Sequence, residues 1–191
     1  LTNSFGEAFI AANVIVMRVD GFAMLPNMSF GTAMTTYTGQ NVGARKNDRV
    51  TQGAKQGTIL AVATSTVLTL LILAFGKQLM GIFTDTTSLV ELSRTIMGII
   101  APGYIAVAVT MSLSGVMRGA GDTMTPMWIS LFTTVAVRVP VAYIIAFLTR
   151  SAEMPNGNQF CVQISLVSSW LLGALITTII YLRGKWKKNM Y

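Results

Sequence analysis

The chain has 191 residues, of which 52% are hydrophobic and only 11% charged, with a net charge of +7. So few charges cannot cover a water-exposed surface, because soluble domains carry roughly 25% charged residues; an ordinary soluble domain is excluded and a lipid bilayer is the implied solvent. The absence of histidine rules out His-based triads and His metal sites, and a single cysteine, Cys161, rules out intrachain disulfides and thiolate clusters.

A membrane helix needs about 20 mostly apolar residues to cross a hydrocarbon core of about 30 Å. The first candidate, residues 7–42, is apolar but holds Glu7, Arg18, Asp20 and Pro26. A continuous helix there would run to about 50 Å at 1.5 Å per residue. It reads as one long, tilted helix, kinked or broken near Pro26, with two half-helices as the alternative. Four further segments follow at 52–75, 89–117, 124–148 and 162–182, and the last carries no charge. Pro102-Gly103 lies inside the third of the five and Pro140 inside the fourth, beside Arg138. Such breaks line transporter cavities, although Pro and Gly are also common in membrane helices generally. The expectation is an all-α integral membrane protein, with 1–191 forming a single bundle of about five complete transmembrane helices. Small residues at Gly31-Thr-Ala33, Ser112-Leu-Ser-Gly115 and Gly173-Ala174 favour close helix packing.

Five crossings alternate sides. One side collects nine Lys and Arg, in 43–55, at Arg118 and in the tail from Arg183; the other collects three, at Lys77, Arg94 and Arg150. The positive-inside rule then places 43–55, 118–122 and the C-terminus in the cytoplasm, and residues 1–6 and the loops near 76–88 and 149–161 outside. The basic residues flank apolar segments instead of forming one soluble face, so nucleic acid is not an expected partner. Gly115-Val-Met-Arg-Gly-Ala-Gly121 lacks the strand and the Lys-Ser/Thr ending of a nucleotide loop. The start at Leu1, with no initiator Met and no signal peptide, reads as part of something longer.

Charges inside a bilayer need partners, since each costs about 2.5–3.5 kcal/mol at mid-membrane on insertion scales. Arg18 and Asp20 sit about 200° apart on a regular helix, so they do not face each other. Asp20 is a candidate proton or cation site; the alternatives are a buried pair with Arg138 or with an arginine outside the chain, or interfacial exposure. Arg138, midway through its segment, should face the bundle or a cavity. Glu7 suits a helix N-terminus. Asn13, Asn27, Gln40 and Asn41 are placed to line a cavity or bond across helices. Tyr37, Tyr104, Met24, Met28, Met97 and Met111 form either an adaptable ligand wall or plain packing. No nucleophile–base set or acidic metal cluster appears, so an enzyme and a resident cofactor are not expected.

Several motifs in order resemble a known family. Phe22-Ala-Met-Leu-Pro26, Gly31-Thr-Ala-Met, and Gly39-Gln-Asn-Val-Gly-Ala44 with its following bases are similar to multidrug and toxic compound extrusion (MATE) transporters. So are Arg118-Gly-Ala-Gly-Asp-Thr-Met-Thr-Pro126 and Arg138-Val-Pro140. The resemblance spans nearly the whole chain. It implies the second lobe of a twelve-helix exporter, from the end of helix seven through helix twelve, in the plasma membrane of a bacterium. It further implies exchange of inward Na⁺ or H⁺ for outward drugs, often cationic and amphipathic, across a cavity shared with a first lobe that this chain lacks. Some family members carry acids on helices seven and ten; here 95–117 holds none. A lipid-linked precursor flippase of the same fold group is the alternative.

Overall fold

A computed structural model describes residues 5–151 and 154–190, so residues 1–4 and Glu153 lie outside the described residues. The described chain is helical: α1 (Glu7–Gly43), α2 (Asn47–Gly81), α3 (Thr87–Ile100), α4 (Gly103–Gly119), α5 (Met124–Leu131), a π-helical segment (Phe132–Arg138), α6 (Val139–Leu148) and α7 (Cys161–Leu182). A 3₁₀ turn, Lys185–Met190, follows. Four spans are long and apolar enough to cross a bilayer, and five when α3 and α4 count as one bent span.

The apolar pattern explains why these helices need lipid. α1 buries a stripe at Phe9, Ala12, Val16, Val19, Ala23 and Asn27, the three- and four-residue spacing of one helix face. Its opposite face is apolar too, with Met17 and Phe22 each more than 70% exposed. A helix that is hydrophobic all round belongs in a membrane. Leu70, Phe147 and Leu182 continue this outer apolar surface on α2, α6 and α7.

Several boundaries differ from the sequence expectation. α1 runs continuously through Pro26, so the two half-helices do not form; proline removes one hydrogen bond, and α1 packs along α4 on both sides of it. α2 kinks at Phe75 (φ −105°, ψ 15°), the residue where the expected span ends, and a further helical stretch continues from there to Gly81. α3 and α4 meet at a 45° bend at Ala101–Pro102, as the Pro-Gly pair implies. In the fourth span the irregularity lies before Pro140, not at it. Pro140 has no N–H for the carbonyl four residues back, and its ring crowds that carbonyl. The preceding turn widens into the π-helix.

Small residues set the closest contact. A side chain on Gly115 would collide with the backbone of Gly31, and one on Gly119 with the backbone of Thr35. This is the close approach that the Gly-rich motifs of α1 and α4 permit. Both helices end at the basic face of the bundle in the same way. The Lys46 amide donates to the Asn41 carbonyl (2.8 Å) and the Asp122 amide to the Met117 carbonyl (2.9 Å), with Arg45 and Gly121 at positive φ. Trp186 folds back from the tail, buried against Tyr181 at a 5.0 Å ring distance, and its indole N–H donates to the Tyr181 carbonyl at 2.9 Å.

Candidate functional site

Asp20 stands beside the buried stripe of α1, about 20 Å along the axis from the helix start. Its partner is Tyr104, in the first turn of α4 just past the Pro102 bend. The Tyr104 hydroxyl donates to Asp20 Oδ1 at 2.7 Å, and its ring is buried. Side chains of α1 and α2 bond to backbone carbonyls around the bend: Thr69 donates to the Ala101 carbonyl at 3.2 Å, and Asn27 to the Tyr104 carbonyl at 3.4 Å. Among the described residues no Lys or Arg lies within ion-pair distance of Asp20. Arg18 is exposed on the other side of the helix, as the angular argument requires.

The buried-pair alternative with Arg138 is not what forms. Arg138 is half-buried and its Nε donates to Ser169 Oγ at 3.2 Å. It lines a cavity of about 270 Å³ between α4, α5, the π-helical segment and α7. Met24 and Met111 line the same cavity, as the adaptable-wall reading allows. Met97 and Tyr104 lie in the core instead, and Met28 and Tyr37 are exposed on α1, where the Tyr37 hydroxyl donates to the Arg49 carbonyl at 3.1 Å. Gln40 is exposed near the end of α1. Asn13 bonds across helices: it accepts from Gln163 Nε2 at 2.7 Å and donates to the Phe9 carbonyl at 2.8 Å. Glu7 opens α1 without a side-chain capping bond.

Sequence reasoning missed Gln163, Ser169, Trp170 and Thr133. Gln163 was discoverable, because it is the one amide in an uncharged span. Trp170 carries no such signal; only the fold places its ring 6.0 Å from that of Tyr104 and at the cavity wall.

The family model described as MatE matches residues 1–144. The chain belongs to the MATE family. It is 25% identical to the probable multidrug resistance protein NorM of Thermotoga maritima over 96% of this chain and 38% of that protein. It is 27% identical to the probable multidrug resistance protein YpnP of Bacillus subtilis over 98% of this chain and 40% of that one. The fold matches a solved MATE transporter, ClbM in complex with Rb⁺, at a TM-score of 0.80 and 22% identity, covering 95% of this chain and 42% of ClbM. The chain thus spans about two fifths of the length of these relatives. As a MATE chain with four or five apolar spans, it is a multi-pass membrane protein.

Proposed function

We propose that this chain is the second lobe of a MATE exporter that exchanges inward Na⁺ or H⁺ for outward small amphipathic solutes. The carrying observation is the Asp20–Tyr104 pair. A carboxylate well inside a span, with a neutral hydroxyl for its partner and no basic residue in reach among the described residues, is an acceptor for a cation or a proton. Its position beside the α3–α4 bend supports movement, because a bent span is a joint about which helices shift. The MATE relatives are multidrug resistance proteins, and ClbM was solved with a monovalent cation. They do not favour the flippase alternative. Nothing in the reading calls for an enzyme or a resident cofactor.

The remaining helices of the exporter would cover the exposed apolar faces of α1 and α2. The Lys- and Arg-rich end of the bundle would lie in the cytoplasm together with the C-terminal tail. Charge asymmetry supports this. At the sparse end Glu91 pairs with both Lys77 (3.4 Å) and Arg94 (3.7 Å), which lowers the net positive charge there further.

The test is solute movement in proteoliposomes holding the transporter that contains these residues. An imposed Na⁺ or pH gradient should drive export of a fluorescent amphipathic dye. Export indifferent to both gradients would contradict the proposal.

A further inference from the structure

The cavity beside Arg138 has an unusual charge lining. Arg118 and Arg138 both border it, and no Asp or Glu does. Arg138 is half-buried midway through its span, where a charge calls for a counter-charge, and Arg118 stands at the exposed last turn of α4 at the edge of the same cavity. Neither has an acidic partner among the described residues. Ser169 occupies only Nε of Arg138 and spends its own hydroxyl proton on the Leu166 carbonyl at 2.7 Å. The two terminal nitrogens of Arg138 keep their donors for something else. The cavity also presents the hydroxyls of Ser114, Ser130 and Thr134, which form no hydrogen bond to protein among the described residues.

The π-helix makes this arrangement. Thr133 and Arg138 are five residues apart, which in an α-helix turns them about 140° away from each other. A π-turn, with its i→i+5 bonds, turns less per residue and brings the two closer in angle, and both line this cavity. Pro140 is the cause of that widening, so the Arg138-Val-Pro140 sequence builds a wall as well as a bend. Apolar lining comes from Val107, Met111, Ile129 and Trp170. At about 270 Å³ the space is at the small end of ligand pockets, which run from roughly 300 Å³ upward. A wider depression adjoins it and shares Arg118, Pro126, Ser130 and Thr134, giving an opening toward the basic end of the bundle.

We propose that this cavity is a binding subsite for an amphipathic anion: a sulfonate, phosphate or carboxylate held by Arg138, Arg118 and the free hydroxyls, beside an aryl or short alkyl group on the Trp170 wall. It deepens the export reading and rests on it for the consequence that the transporter handles anionic solutes. The resemblance alone points to cationic ones. Anionic lipid headgroups carry the same chemistry, and the test separates the two sources.

The transporter is placed in phosphatidylcholine nanodiscs and titrated with 2-naphthalenesulfonate and, separately, with its cationic counterpart 2-naphthyltrimethylammonium, reading tryptophan quenching and equilibrium dialysis. The sulfonate should bind at least ten-fold tighter. Arg138→Gln should remove most of that preference and Arg138→Lys restore part of it. Thr134→Val, at an exposed position that folding does not depend on, should weaken the sulfonate about three- to ten-fold. Trp170→Phe should remove the saturable quenching that this site contributes but not the dialysis signal, since Trp128 and Trp186 remain. If phosphatidylglycerol added to the nanodiscs displaces the sulfonate, the site also takes lipid headgroups; if it does not, the site takes soluble anions alone. Equal affinity for the two probes, or sulfonate binding untouched by Arg138→Gln and Thr134→Val, would overturn the proposal. Protein that binds the sulfonate but exports nothing would leave the subsite standing and sink the export reading. Gradient-driven export without anion preference would do the reverse.

Discussion

Tyr104 donates its hydroxyl proton to Asp20 across 2.7 Å, and the same ring lies 6.0 Å from Trp170, which walls the Arg138 cavity. One side chain thus touches both the carboxylate on α1 and the indole on α7. A cation or proton arriving at Asp20 competes for the acceptor that positions Tyr104, and a shift of Tyr104 moves the cavity wall. The coupling element would be this aromatic pair at the α3–α4 bend.

Tyr104→Phe isolates that element, because it keeps the ring and deletes the hydroxyl. Loss of one hydrogen bond to a charged group is worth about 1.5–3 kcal/mol. Thermal stability in detergent should fall by a few degrees, and gradient-driven export should slow while the fold is kept. Export at the full rate would show that the hydroxyl has no part in coupling.

The contact of α1 with α4 predicts a sharp difference between glycines. Gly115→Ala and Gly119→Ala place a methyl against backbone that cannot yield, and overpacking of this kind costs about 1–3 kcal/mol. Gly98→Ala meets open space and should shift stability by less than about 0.5 kcal/mol. Thermal unfolding followed by size-exclusion fluorescence ranks the three. Equal losses would mean the helices are not held this closely.

Asn13 and Gln163 fasten α1 to α7, yet Gln163 Oε1 is buried without a protein partner. Interhelical hydrogen bonds of this sort average about 0.6 kcal/mol in membranes. Asn13→Leu and Gln163→Leu should each destabilise by about that amount or somewhat more, since each strands the other amide. The double variant should be no worse than either single one. Additive losses in thermal scans would show that the two amides act independently.

Much of the fold was legible because a bilayer imposes its length on the sequence. The five apolar runs mark the spans, and Pro102-Gly103 marks the bend. The far end of α2 was less visible: the apolar run stops at Phe75, where the helix kinks, and the helical stretch beyond it to Gly81 lies past the hydrophobic limit. Pro26 misleads for the opposite reason: helix continues through it where α1 packs along α4. The chemistry was legible only in part. Asp20 and Arg138 stand out as charges in apolar runs, but their partners, Tyr104 and Ser169, are ordinary membrane residues brought near by the fold from 84 and 31 positions away. The π-turn that brings Thr133 closer in angle to Arg138 is invisible to a 3.6-residue period.

The orientation can be read with single cysteines, since the native Cys161 is buried. A cysteine at Asn156 should react with an impermeant maleimide added outside intact cells, and one at Asn47 should not. The opposite labelling pattern would reverse the topology. Replacing Arg45, Lys46 and Arg49 together should weaken the bias and give mixed labelling.

The most direct measurement is gradient-driven export by Asp20→Asn transporter in proteoliposomes, on protein shown to be monodisperse. Asparagine keeps the volume and can still accept from Tyr104, but it takes up no proton and offers a cation only a neutral carbonyl in place of a carboxylate's charge. The account predicts that the imposed Na⁺ or pH gradient no longer drives export, while the thermal unfolding midpoint stays within a few degrees of the parent. Export driven at the parent rate by a well-folded Asp20→Asn protein would contradict it, and coupling would have to reside outside this chain.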